Sequence, residues 1–225
     1  MNIEEYLGKK EIADKLRQYA ELLSRANERA RLTGPSDPGV LYEDFILDAL
    51  YGLAFLGDGE IFVDVGTGGG LPGIAWGICR PDAKGFLLDS IGKKIALVSE
   101  MIDELDCGNL TAVNARSEDF TAEHREAFDV ATARAVAAAP LLAEYLTPLV
   151  RIGGKIVAFK GENVRDELNL PEKAWQKLGL SPPRLEAYEI SGKQRYLVLW
   201  EKIKTCGKKY PRRPGMADKI PWYVN

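Results

Sequence analysis

The chain reads as a doubly wound α/β fold, a mostly parallel sheet with helices ahead of it and an antiparallel hairpin closing it. Three observations predict this. A short apolar run at 61–65 ends in a glycine-rich turn, Gly66-Thr67-Gly68-Gly69-Gly70. Strand and helix patterns then alternate to about residue 178, the mark of repeated strand–helix–strand units. The last two apolar runs, 184–190 and 196–202, are joined by a loop too short to hold a crossover helix, so they pair antiparallel. A Rossmann-like sheet of this kind binds ligands at the carboxyl ends of its strands. At 225 residues, the chain suits one such domain with added segments.

In order, Ile12, Leu16, Tyr19, Leu22, Leu23, Ala26 and Ala30 recur at helical spacing. Breakers at 33–39 (Thr-Gly-Pro-Ser-Asp-Pro-Gly) end that helix. A second helix is expected over 41–56, with Phe45, Ile46, Ala49, Leu50 and Leu53 inward, and Gly57-Asp58-Gly59 leads into the strand at 61–65. Next come a helix over 72–79, with Pro72 suited to its first turn, and a strand over 85–88 that ends at Asp89. A helix over 93–105 is closed by Cys107-Gly108-Asn109, and strands follow at 110–113 and 128–132. An alanine-rich helix over 136–150, a strand over 155–160 and a helix over 164–178 precede the final hairpin. The expected organisation is a helical extension over 1–57, the sheet-bearing domain over 58–203 and a basic tail over 204–225.

With 46% hydrophobic and 28% charged residues, the composition is that of an ordinary globular protein. No apolar run approaches the roughly 20 residues of a membrane span, and the N-terminus carries acids in place of a secretory apolar region. The three cysteines, Cys79, Cys107 and Cys206, lie far apart and the single histidine is His124, so neither a metal site nor a disulfide framework is expected. These features point to a reducing cytoplasm, no membrane partner and a monomer, since neither N-terminal helix pattern demands a second chain. The net charge of −3 conceals an asymmetry. Lys202, Lys204, Lys208, Lys209, Arg212, Arg213 and Lys219 face only Asp218, giving this segment +6 and the remainder −9. That segment is either a polyanion-binding element or a solubilising tail.

The spacing Asp64-x-Gly66-x-Gly68-x-Gly70 lets backbone amides approach a ligand closely. Leu71 stands where the dinucleotide fingerprint needs Gly or Ala, which weakens a pyrophosphate reading and a nicotinamide-dependent oxidoreductase with it. The turn therefore suits a compact cofactor over the strand end, or is structural. Asp89, followed by Ser90, is placed to accept hydrogen bonds from two ribose hydroxyls, or else is a turn residue ahead of the next helix. Ser117-Glu118-Asp119 falls where an adenine ring would sit, or starts a helix. Arg134, in the small apolar stretch Ala131-Thr132-Ala133-Arg134-Ala135, contacts a carboxylate, phosphate or base edge, or makes a structural ion pair. His124, among Glu123, Arg125 and Glu126, is expected on an exposed helix, and no catalytic acid–base pair stands out.

Several stretches carry a resemblance to one family. They are 63–74 (Val-Asp-Val-Gly-Thr-Gly-Gly-Gly-Leu-Pro-Gly-Ile), 87–94, 115–120, Ala133-Arg134-Ala135 and the closing 208–215 (Lys-Lys-Tyr-Pro-Arg-Arg-Pro-Gly) ahead of Lys219. In order and spacing the chain resembles the bacterial small-subunit ribosomal RNA guanine-N7 methyltransferases, the RsmG or GidB family. The resemblance implies a class I S-adenosylmethionine (SAM) methyltransferase sheet and cofactor contacts at Gly66, Leu71, Ser117, Glu118 and Arg134, with Asp89 on the ribose. Lys160-Gly161 matches the family's Lys-Gly on the same rim, and with Lys208, Lys209, Arg212 and Arg213 makes the expected substrate-binding set. The implied substrate is a guanosine in a loop of 16S ribosomal RNA, alone or in a precursor of the small subunit. Guanine N7 carries a lone pair and no proton, so in-line methyl transfer needs no general base, consistent with no catalytic residue being assigned.

Two departures bear on substrate. Ala26-Asn27 and Arg31-Leu32-Thr33 replace the family's Trp-Asn and Asn-Leu-Thr, and Asp44-Phe45 replaces its Arg-His. The alternatives are a SAM methyltransferase acting on a small molecule or protein, and a non-catalytic SAM-binding ribosome assembly factor.

Overall fold

The computed structural model describes residues 3–223. Met1 and Asn2 of the expected helical extension, and Val224 and Asn225 of the basic tail, lie outside the described residues, as does the side chain of Asp218. Seven strands form one sheet, mostly parallel, in the order β3-β2-β1-β4-β5-β7-β6, where β1 is Ile61–Val65, β2 Lys84–Asp89, β3 Leu110–Asn114, β4 Phe128–Arg134, β5 Val150–Lys160, β6 Arg184–Ile190 and β7 Lys193–Glu201. By its internal contacts the chain divides into two compact units, Met1–Ala115 and Arg116–Asn225.

In the first unit, helix α1 (Ile3–Leu7) leads into α2 (Lys10–Arg29). The apolar stripe of α2 is buried at Ala13, Leu16, Tyr19, Ala20, Leu22, Leu23 and Ala26, the spacing of a single helix face. Asp37 caps α3 (Pro38–Leu41), its carboxylate accepting from Val40 N at 2.9 Å, with Pro38 in the first turn. The helix expected over 41–56 is a continuous helical run assembled from α3, a π turn at Tyr42–Ile46, α4 (Leu47–Leu50) and a 3₁₀ turn at Tyr51–Phe55. β1 pairs parallel with β2, and β2 with β3. Phe62, Val63, Asp64 and Val65 are all buried, as befits a parallel strand covered on both faces. α5 (Gly73–Cys79) and α6 (Gly92–Glu104) make the crossovers, with α5 starting one residue after Pro72.

The second unit opens on α7 (Ser117–His124), and β4 pairs parallel with β5. Three expectations change here. β5 begins at Val150, five residues earlier than expected, because Gly153 at φ +80° lets the strand bulge. The helix expected over 136–150 shortens to α8 (Ala139–Leu146) plus a 3₁₀ turn at Thr147–Leu149; Ala135 at φ +55° is not helical, and Pro140 lies in the first turn. The helix expected over 164–178 breaks into α9 (Val164–Glu167), α10 (Glu172–Trp175) and a 3₁₀ turn at Gln176–Leu178, since Pro171 bars the preceding residue from helical backbone. β7 pairs antiparallel with both β5 and β6 as expected.

The basic segment is folded onto the second unit. Cys206, Tyr210 and Trp222 are buried, and a short helix α11 spans Met216–Lys219. Trp222 donates its indole N–H to Pro140 O at 2.8 Å and meets Trp175 edge-on at 5.7 Å between ring centroids.

Candidate functional site

The glycine turn after β1 is built by backbone the glycines alone permit. Gly66, Gly68 and Gly70 have φ of +71°, +57° and +95°. At Gly69 a Cβ would lie 2.6 Å from Leu23 Cδ1, and at Gly70 it would strike Ile74. Helix α2 steadies the turn, Tyr19 donating its hydroxyl to Gly69 O at 2.9 Å. Asn27, on the same helix, accepts from Leu32 N at 2.7 Å and Thr33 N at 3.0 Å, holding a loop that packs against Gly68 and Gly69.

Two expectations about this turn are revised. Asp64 is fully buried and its Oδ2 accepts from Thr67 Oγ1 at 2.7 Å and Gly73 N at 2.9 Å, so its carboxylate ties the turn to the start of α5. The amides of the turn are largely satisfied internally as well. Thr67 N reaches Leu88 O, while Gly70 N and Leu71 N both reach Thr67 O. The glycines therefore let Leu23, Leu32, Tyr19 and Ile74 pack directly onto the turn's backbone, without offering a row of open amide donors.

Asp89, at the end of β2, is the polar centre beside this turn. It is 9% exposed; Oδ2 accepts from Gly68 N at 3.2 Å and Oδ1 from Ile91 N at 3.0 Å. Each carboxylate oxygen has a second lone pair, so two acceptor positions of fixed direction remain. Asn114 and Ala115 both donate to the Asp89 carbonyl, anchoring its backbone. Ser90 beside it is exposed and Leu71 buried. The structure thus gathers Asp64, Gly66, Gly68, Gly70, Leu71, Asp89 and Ser90 around one turn.

The remaining expected residues lie in the second unit. Ser117 is buried and Glu118 half-buried in the first turn of α7, with Ser117 Oγ donating to Glu118 Oε2 at 3.2 Å. His124, at the end of α7, is half-buried and stacks on Phe120 at 3.9 Å, correcting its expected exposure. Arg134 is half-buried at the end of β4 and in register with Phe159 of β5. Next along β5, Lys160 donates to Ala137 O at 2.9 Å and pairs with Glu167 Oε2 at 2.6 Å, with its side chain 11% exposed.

The basic segment displays fewer charges than its composition suggests. Lys202 is fully buried, donating to Glu126 Oε1, Thr147 O and Val150 O at 2.8–2.9 Å. Arg212 is turned inward onto the fully buried Glu144, through Nε at 2.8 Å, Nη2 at 2.6 Å and its backbone N at 3.1 Å. Arg125 gathers the carbonyls of Cys206, Gly207 and Tyr210. Lys208, Lys209 and Arg213 remain exposed. Sequence reasoning missed Tyr19, Arg125, Glu144 and Glu167. Of these only Glu144, a lone acid in the apolar stretch 139–146, carried a signal in the sequence.

Burial pushes the Cys79 thiol up to about 12 and raises those of Cys107 and Cys206, so none is a thiolate nucleophile at neutral pH. Among the described residues, no group of three or more His, Cys, Asp or Glu is placed to hold a metal ion, and no helix is long and apolar enough to cross a membrane.

Comparison with known proteins follows the same lines. The structure resembles that of a precorrin-6y C5,15-methyltransferase from Geobacter metallireducens (TM-score 0.54, 14% identity, 77% of this chain and 91% of the other), a likeness of fold. Proteins named ribosomal RNA small subunit methyltransferase G are far closer in sequence. That of Petrotoga mobilis is 36% identical over 94% of this chain and 96% of its own length. That of Rubrobacter xylanophilus is 40% identical over 92% and 82% respectively. The family profile described as GidB, rRNA small subunit methyltransferase G, matches residues 12–198. With its glycine-rich turn, its mostly parallel sheet and a match along nearly its whole length, the chain belongs to the GidB family of rRNA small subunit methyltransferases.

Proposed function

We propose that the protein is a SAM-dependent methyltransferase that modifies N7 of a guanosine in 16S ribosomal RNA. The observation that carries this reading is the Asp89 carboxylate, fixed by the Gly68 and Ile91 amides beside a glycine-rich turn, in a chain of this family. The residues fit the donor: two aimed acceptor positions on Asp89 suit vicinal ribose hydroxyls. SAM supplies an electrophilic methyl group on a sulfonium centre.

The chain's contribution is binding and positioning. Asp89 orients the ribose, and the turn from Gly66 to Leu71 sets how closely the donor approaches β1. We assign Ser117 and Glu118 to the adenine and Arg134 to the donor on the family pattern. Their placement at the start of α7 and the end of β4 is compatible with these roles. SAM, when bound, would supply its methyl group to the guanine N7 lone pair, leaving neutral S-adenosylhomocysteine and a cationic purine ring. No proton moves in that step, so the protein needs orientation and a tolerant field rather than a base. Lys208, Lys209 and Arg213, exposed on a segment anchored by Arg125, Glu144 and Trp222, are the proposed RNA phosphate contacts. Because N7 lies in the deep groove of an A-form helix, the target sits in an irregular or single-stranded region. We take the protein to act in the cytoplasm, where such a substrate is found, and as a monomer.

Nucleoside analysis of 16S rRNA from cells lacking the protein tests the reading. One 7-methylguanosine should disappear and return with purified protein and SAM. An unchanged nucleoside profile, or label transferred only to protein or metabolite fractions, refutes it.

A further inference from the structure

Lys160 and Glu167 are joined in a way that an RNA-facing lysine does not require. Lys160 Nζ lies 2.6 Å from Glu167 Oε2 and donates to Ala137 O at 2.9 Å. The same Glu167 oxygen accepts from Ala139 N at 2.6 Å, at the start of α8. The segment between β4 and α8 is thereby gripped at Ala137 through its carbonyl and at Ala139 through its amide. Both grips come from side chains more than twenty positions later in sequence. Both groups are largely withdrawn from water, at 11% and 24% side-chain exposure, where a charge-assisted contact holds more firmly than on an open surface. Within the gripped segment, Ala135 adopts φ +55°, a left-handed backbone that a residue with a Cβ keeps only when its surroundings impose it. Arg134 is the residue immediately before it.

We propose that Lys160 and Glu167 are positioning residues for the methyl-transfer reaction. They clamp the segment after β4 so that Arg134 is presented to the donor in one orientation, and Lys160 does not contact RNA phosphate. The inference rests on the assignment of Arg134 to the donor made above. A phosphate contact by Lys160 would require breaking its bond to Glu167 and leaving that carboxylate half-buried beside the Ala139 amide alone.

The test is a double-mutant cycle on the full chain with Lys160→Met, Glu167→Gln and the pair combined. Affinity for S-adenosylhomocysteine is read by calorimetry, and the salt dependence of binding to a 16S rRNA fragment is read in parallel. Each single variant should weaken the nucleoside about fivefold, the worth of one hydrogen bond, and the combined variant no more than the worse single, because the two act as a unit. Lys160→Arg should retain most of the affinity, and the RNA salt slope should not move. Loss of melting temperature with unchanged nucleoside affinity would make the clamp merely structural and overturn the proposal. So would singles whose effects multiply, or a Lys160→Met variant whose salt slope falls by about 0.7–1, the signature of a lost phosphate contact. If Lys160→Met does not fold, Glu167→Gln, nearly isosteric, decides alone: wild-type affinity there refutes the clamp. Arg134→Ala separates the two levels. Undiminished affinity in that variant removes Arg134 from the donor and the clamp's role with it, whereas weakened affinity beside silent Lys160 and Glu167 variants refutes only the clamp.

Discussion

Gly70 shows how little latitude the turn leaves to one residue. It sits at φ +95°, and an added methyl would meet Ile74 and lie 3.1 Å from the Tyr19 hydroxyl. Gly59 offers the contrast: φ is +67° with nothing within 4 Å of its would-be Cβ. Gly59→Ala should therefore cost only backbone strain, about 1 kcal/mol, and Gly70→Ala that strain plus a clash, about 2–3 kcal/mol with loss of SAM binding. Urea melts and calorimetry read both, and equal costs would show that the turn repacks freely. The glycines were legible because only they tolerate such backbone. Asp64 was not read the same way: an acid two residues before the turn is visible in the sequence, but the fold of its carboxylate back onto Thr67 and Gly73 is not. Likewise, counting charges revealed Lys202 and Arg212 without their partners, Glu126 and Glu144, which lie 76 and 68 residues away in sequence.

At the scale of elements, the C-terminal segment behaves as a strap sewn to the second unit. Arg212 caps a carboxylate with no exposure of its own, whereas Arg213, the next residue, is exposed. Arg212→Ala leaves Glu144 buried and uncompensated and should destabilise by about 3 kcal/mol, while Arg213→Ala should stay within about 0.5 kcal/mol. Chemical denaturation of the two variants checks this, and comparable stabilities would mean that Glu144 takes up a proton or water at little cost. Strands were read well where apolar runs were bounded by turn residues, as at β1 and β6. Errors arose where one residue outweighed a pattern. Gly153 lets β5 run back through a bulge to Val150, ahead of the strand expected over 155–160, and Pro171 cuts the helix expected over 164–178. The basic segment looked like a tail because its apolar anchors, Cys206, Tyr210 and Trp222, are too sparse to show a period.

For the whole molecule, the net charge of −3 disfavours RNA at long range, so the exposed bases of the strap have to act locally. Replacing Lys208, Lys209 and Arg213 together by Gln should leave the melting temperature near that of the parent and lower the salt slope of RNA binding by about 2–3. Filter binding across a salt series measures it, and an unaltered slope would assign the phosphate contacts elsewhere. Removing everything after Lys202 is a poorer experiment, because it also strips Trp222 from Pro140 and Arg212 from Glu144. A related lesson attaches to the opposite end. Tyr19 closes the Gly69 carbonyl, and the Trp76 indole N–H ends on Ala49 O at 2.8 Å. Anyone wanting a minimal catalytic fragment by excising the helices ahead of β1 would orphan an acceptor in the glycine-rich turn and a donor in the core at once, so the leading helices are buttresses rather than trimmings.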